Sequence, residues 1–121
     1  MKKVLIIEDD GFLQGLEVAK LEKSNYAVIT ASNGEEAMNK IYEPDISIIL
    51  LDLMLPIFDG YEVLKKIRGT ESLKNIPVIV FSNLSEKSEF DKARQLGAND
   101  FMVKSNFTLD ELVKKINAIL K

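Results

Sequence analysis

Residues able to do chemistry cluster at four places in this 121-residue chain, and each place follows a short apolar run. Glu8, Asp9 and Asp10 follow Val4 to Ile7, Asp52 follows Ile46 to Leu51, Ser82 follows Val78 to Phe81, and Lys104 follows Phe101 to Val103. There is no cysteine and no histidine. Thiolate and imidazole nucleophiles, disulfides and Cys/His zinc sites are therefore excluded, and any chemistry has to use carboxylates, hydroxyls and lysines. Taken singly, these residues have ordinary structural uses: Asp10 as a helix N-cap, Ser82 in a turn, Lys104 as a solvated charge. Brought together they do not, because carboxylates sharing one crevice repel one another and need a cation among them. Glu8, Asp9 and Asp52 bring about -3 and Lys104 about +1, so a divalent ion would bring the balance to roughly zero. An all-oxygen donor set favours Mg2+ or Mn2+ over zinc.

The elements that would bring these places together are legible in the hydrophobic pattern. The apolar runs, with Ala27 to Ile29, read as five buried strands over 3–7, 26–30, 46–52, 77–81 and 100–104, each followed by a helix. Runs apolar on both faces suit a parallel sheet covered on both sides. Ser32 with Glu35, Asp59 with Glu62 and Thr108 with Glu111 have the spacing of a capping box or its Asp-led analogue. Leu109, Leu112, Val113, Ile116, Ile119 and Leu120 trace one face of a closing helix. Gly97 is placed to stop a helix over 86–96. The expectation is one α/β domain over residues 1–121, a doubly wound five-stranded parallel sheet of (βα)5 type, with no linker, repeat or low-complexity tract. In such sheets ligands and chemistry collect at the carboxyl ends of the strands, where the four clusters lie.

Composition narrows the function classes. A hydrophobic fraction of 46% and a charged fraction of 29% are ordinary for a globular fold. The net charge of -3 speaks against direct nucleic-acid binding. Lys2 and Lys3 precede an apolar run as in a signal peptide, but Glu8 ends that run too early for a secretory h-region, and no run is long enough for a membrane span. A cytoplasmic location is expected. Neither GxGxxG nor GxxxxGK follows the first strand, and its acidic patch would repel a bare phosphate, so a nucleotide site is disfavoured.

VLIIEDD, LLDLMLPIFDGYEVLKKIR, VIVFSNLS and GANDFMVK closely resemble, in order and spacing, the four motifs of response-regulator receiver domains, over essentially the whole chain. The resemblance implies a flavodoxin-like receiver fold, like that of single-domain regulators of the chemotaxis type. It implies Asp52 as phosphoacceptor, Glu8 and Asp9 as the acidic pair that holds Mg2+ with Asp52, and Met54 as the source of a backbone carbonyl to that ion. It implies Ser82 as the switch hydroxyl, Lys104 as the lysine that contacts the phosphoryl group, and Phe101 as the aromatic that changes rotamer. Pro56 and Gly60 match the turn after Asp52. The phosphoryl donor would be a sensor histidine kinase or phosphotransfer protein acting in trans, since this chain has no histidine, and the output a downstream effector protein of unknown identity. The candidate output surface is the helix over 86–96, the strand over 100–104 and the last helix. With no effector region in the 121 residues, output is expected through partner binding unless the chain is part of a longer regulator. The chemistry is sound on its own terms: a carboxylate attacks phosphorus to give an acyl phosphate, which a cation and Lys104 stabilise, with no external metabolite turned over.

Four positions depart from the family pattern. Ser105 stands where a proline with a cis peptide is typical, and a cis bond before a non-proline costs about 3 kcal/mol, so a trans Lys104–Ser105 peptide is expected. Asn83 stands where a small residue is usual. Met54 and Leu84, which should flank the phosphoryl group, are both apolar, which predicts a long-lived phosphorylated form. Two other readings use the same residues: a phosphorylation-independent pseudo-receiver that only binds a partner, and an aspartyl-phosphate phosphatase of the haloacid dehalogenase type. The phosphatase would want a second acid where Met54 stands, and a cap.

Overall fold

The computed structural model describes residues 1–121. Five strands alternate with helices: β1 Lys3–Ile7, α1 Gly11–Lys23, β2 Ala27–Ala31, α2 Gly34–Lys40, β3 Ile46–Leu51, α3 Gly60–Gly69, β4 Val78–Ser82, α4 Lys87–Gln95, β5 Asp100–Val103 and α5 Leu109–Ile119, with a 3-10 turn over Lys104–Asn106 before α5. All pairings are parallel and the strand order is β2-β1-β3-β4-β5. This is the doubly wound five-stranded flavodoxin-like fold expected. The order reverses beside β1, so the carboxyl ends of β1 and β3 flank the topological switch point.

Side-chain alternation along the strands sorts the core into two faces. Leu5, Ile7, Ile49 and Leu51 pack with Ala37, Ile41, Val63, Leu64 and Ile67 of the α2 and α3 side. Val4, Ile6, Ile48, Leu50 and Met102 pack with Leu21 of α1 and Leu112, Val113 and Ile116 of α5. Full burial of each such aliphatic chain stabilises the fold by roughly 1.5–3 kcal/mol before entropy is counted. The parity that puts Val4, Ile6, Ile48 and Leu50 on the α1 and α5 face runs on to Glu8 and Asp52 just beyond the strand ends. No helix is long and apolar enough to cross a membrane.

Helix starts follow the expected side-chain caps with one shift. Asp10 caps α1, Asp59 caps α3, and Thr108 with Glu111 forms a full capping box on α5. At α2 the cap is Asn33, not Ser32: the Asn33 side chain accepts from the Glu36 N–H at 2.8 Å, and Glu36 reaches back to the Ser32 N–H at 2.6 Å. The Asn carboxamide caps as well as a serine hydroxyl would, but Glu36 returns its bond to the residue before the cap, so the box is not closed reciprocally as it is at α5. β1 spans the expected residues, β3 and β5 end one residue early, and β2 and β4 lie one residue later, so that β4 includes Ser82 and β5 stops before Lys104. Gly97 sits at φ 101° after α4, the left-handed conformation that ends a helix. No peptide bond is cis, Lys104–Ser105 included.

Candidate functional site

Three loops and one strand end converge at the carboxyl edge of the sheet. Asp52 follows β3 and is 5% exposed, and Glu8 follows β1 and is 2% exposed. Lys104 opens the 3-10 turn and bridges them, with its Nζ 2.7 Å from Asp52 Oδ2 and 2.6 Å from Glu8 Oε1. The other Asp52 oxygen, Oδ1, accepts from Ser82 Oγ at 2.9 Å and from the Met54 backbone N–H at 3.1 Å. Asp9 is exposed, and one carboxylate oxygen from each of Glu8, Asp9 and Asp52 lies within 4.8 Å of the others. The backbone N–H of Asp10 donates to Glu8 Oε2 at 3.1 Å, which orients that carboxylate. Every oxygen of Asp52 and Glu8 is thus occupied by a donor, while Asp9 is left at the solvent edge.

The electrostatics follow from this packing. Burial pushes the Glu8 carboxyl above its ordinary 4.5, and the neighbouring Asp52 adds to the rise, while Lys104 and the Asp10 N–H restrain it. For Lys104, burial works against the ammonium, but the bonds to Asp52 and Glu8 outweigh it and hold the value above the ordinary 10.5. Three carboxylates against one ammonium leave a net negative crevice, whose clustered oxygens fit a hard divalent cation.

The loop after Asp52 is fixed by two close backbone approaches. A Cβ on Gly60 would lie 2.4 Å from the Asp52 carbonyl oxygen, and one on Gly34 1.9 Å from that of Phe58, so neither position takes a side chain without moving the loop. The tip of the loop is strained: Ile57 has φ 74° and is 64% exposed. A β-branched side chain in that conformation crowds its own carbonyl, a penalty of roughly 1–2 kcal/mol that no burial there offsets. Ile57→Gly is therefore expected to raise the unfolding free energy by about 1 kcal/mol. Urea denaturation beside the parent checks this, and an equal or lower midpoint would show that the strain is not released.

Phe101 is 9% exposed and stacks on Phe90 of α4, with ring centroids 5.1 Å apart. It packs with Leu53, Tyr61, Val80 and Ala93 behind the site. Met54 is 55% exposed, whereas Leu84 is half-buried and packs against the cluster of Leu53, Tyr61 and Phe101. The 3-10 turn keeps Lys104 in reach of Asp52 without a proline after it. All seven residues singled out by sequence are thus near the same sheet edge: Glu8, Asp9, Asp52, Ser82 and Lys104 in one cluster, Met54 bonded to it through its backbone, and Phe101 one layer below.

One residue went unnoticed in the sequence. Glu17, on the inward stripe of α1 with Val18 and Leu21, is 1% exposed, and neither of its carboxyl oxygens has a hydrogen-bond partner. The signal was available: an acid interrupts the helix-period apolar positions of residues 13 to 21.

The family model of the response regulator receiver domain matches residues 4–117. The chain belongs to this family. Among curated relatives of this receiver domain, the alkaline phosphatase synthesis transcriptional regulatory protein PhoP of Bacillus subtilis is 39% identical over 122 residues, covering 99% of this chain and 49% of that protein. The chain spans about half the length of the curated relatives it first matches. Two solved receivers are informative. The phosphorylated cyanobacterial phytochrome response regulator RcpA superposes with a TM-score of 0.84 at 31% identity, over 98% of this chain and 90% of that one. The receiver domain of sensor histidine kinase PA1611 from Pseudomonas aeruginosa, described with a magnesium ion in its active-site cleft, superposes with a TM-score of 0.87 at 26% identity, over 97% and 95%.

Proposed function

We propose that this receiver takes a phosphoryl group on Asp52 from a phosphohistidine of a sensor histidine kinase or phosphotransfer protein, and so switches the surface it offers to a downstream effector. The observation that carries this reading is the double engagement of Asp52: one oxygen held by Lys104 at 2.7 Å, the other by Ser82 at 2.9 Å. A carboxylate so held is a nucleophile whose product, an acyl phosphate, meets an ammonium and a hydroxyl already in place. Glu8, Asp9 and Asp52 are the residues that would hold Mg2+ or Mn2+, with the Met54 carbonyl as a further donor. When bound, the ion supplies charge neutralisation for the transferring group. Lys104 exchanges its bond to Asp52 for one to the phosphoryl oxygens, and Ser82 donates to another of them. Ser82 lies on β4, paired to β5, so its movement is felt by Phe101 and the α4, β5 and α5 surface. This makes the protein a switch that modifies itself and not an enzyme on an external metabolite, and it suits a cytoplasmic location.

The test is incubation with acetyl phosphate followed by intact-mass measurement. One phosphoryl adduct is expected with Mg2+, and none with a chelator or in Asp52→Asn. Labelling of Asp52→Asn equal to the parent would remove the assignment, and no adduct on the parent would favour a phosphorylation-independent partner module.

The lifetime of the adduct follows from the flanking side chains. Hydrolysis needs a water placed in line behind the phosphorus, and neither Met54 nor Leu84 can hydrogen-bond one. Met54→Asn combined with Leu84→Glu is expected to shorten the adduct's half-life on the order of tenfold. A double variant that keeps its phosphate as long as the parent would show that apolar flanks do not control the rate.

A further inference from the structure

The α1 and α5 face of the sheet carries a fourth acid under the site. Glu17 points inward from the middle of α1, is buried to 1% exposure and has no hydrogen-bond partner for either oxygen. An ionised carboxylate in that setting would pay a large desolvation penalty with no donor to offset it, so the group stays a neutral acid. The charged groups that face it are Glu8 from the end of β1, Asp52 from the end of β3, Lys104 after β5 and Asp10 at the start of its own helix. From α5 the packed side chains are Leu112, Val113 and Ile116, which are apolar, and Lys20 on α1 is turned away to pair with Asp110. Its surroundings are therefore mainly negative, which also favours the proton, and burial with these neighbours moves its titration up to about 8.

This balance depends on the charge of the crevice above it. With the crevice net negative, Glu17 keeps its proton. Two positive charges added among Glu8, Asp9 and Asp52 bring the crevice to roughly neutral and remove the negative field that favours the proton. We propose that Glu17 is a proton-exchanging partner of the cation site: it is protonated while the site holds no divalent ion, and it releases that proton to solvent when one binds. The O–H bond of the carboxylic acid breaks, the buffer takes the proton, and the carboxylate remains beneath the ion. Reciprocity then requires divalent-ion affinity to rise with pH through the neutral range, where the ligand carboxylates of an ordinary receiver are already ionised. The inference rests on the reading of Glu8, Asp9 and Asp52 as a cation site.

Mg2+ binding by the intact chain, followed by titration calorimetry at pH 7 in two buffers of different ionisation enthalpy, measures the protons released. A substantial fraction of a proton per ion is expected in the parent, and markedly less in Glu17→Gln and Glu17→Leu. Both variants keep Glu8, so its own titration cancels in the comparison. Between pH 6.5 and 9 the parent's affinity should rise on the order of tenfold more than that of either variant. Circular dichroism of the variants establishes that they are folded. Equal proton release in parent and folded variants overturns the role of Glu17 while leaving the cation site standing. Absence of any Mg2+ binding in the parent removes the cation site and this inference with it.

Discussion

Lys104→Ala is expected to lower the unfolding free energy by on the order of 3 kcal/mol at pH 8 in the presence of a chelator, with much of the loss restored by Mg2+. Lys104 is the one cation in hydrogen-bond reach of two carboxylates that are 5% and 2% exposed. Truncating it leaves Asp52 and Glu8 facing each other without a counter-ion, the costly way to break a buried pair. In the parent the lysine's own contribution is insensitive to ordinary pH: its folded value lies above 10.5, so the stabilisation is fully present below 10.5 and is lost only as pH rises through the folded value. The pH dependence of the variant comes from Glu8. Burial already raises that carboxyl above 4.5 with the lysine restraining it. A carboxyl raised in the folded state confers stability that is full below 4.5 and lost as pH rises through its folded value, and removing Lys104 raises Glu8 further. The deficit of Lys104→Ala against the parent should therefore be smaller at pH 5 than at pH 8. Urea unfolding at both pH values, with chelator and with Mg2+, measures this. Matching stabilities at pH 8 in chelator would mean that the two carboxylates are hydrated or separated when the ammonium is gone. In the same variant, switching on phosphorylation should fail even where labelling of Asp52 persists, because the phosphoryl group has lost its ammonium partner.

Much of this site was open to reading in one dimension because its parts obey separate local rules. The strands announce themselves as runs apolar on both faces, and a parallel sheet delivers whatever follows each run to one edge. Glu8, Asp52, Ser82 and Lys104 each follow such a run. Caps were legible to within a residue: at α2 the cap is Asn33, which accepts from the Glu36 N–H, and Ser32 with Glu35 has the same spacing one residue earlier. Two features were not read from the sequence, the first because it depends on where backbones meet in three dimensions. The strained Ile57 reflects a loop whose path is dictated by contacts of Gly34 with Phe58 and of Gly60 with Asp52. Glu17 was overlooked for a different reason. An acid within the apolar period of α1 is easily taken for a polar edge position, and docking the helix shows that it faces the sheet.

Docked there, Glu17 makes the stability of the whole fold depend on pH, apart from any bound ion. Its carboxyl titrates near 8 in the folded chain against an ordinary 4.5, with burial as the main cause and Glu8 next. The native state thus binds a proton that the unfolded chain gives up, and stability falls as pH rises from about 4.5 to about 8, levelling off beyond. At 1.36 kcal/mol per unit the full loss is on the order of 5 kcal/mol. Glu17→Leu removes the titrating group, fills a similar volume and extends the apolar contact of Val18 and Leu21 with the sheet. The variant's gain over the parent is accordingly expected to be on the order of 4 kcal/mol larger at pH 8 than at pH 5, where the parent's Glu17 is neutral on folding at little cost. What remains at pH 5 is the burial of a polar group without a partner, about 1–3 kcal/mol. Glu8 is present in both chains, so its own slope drops out of the difference. Urea unfolding in chelator at pH 5, 6.5 and 8 resolves the curve. A stability gain of the same size at all three values would mean that Glu17 is not protonated on folding and that only its polarity, not its charge, is being removed.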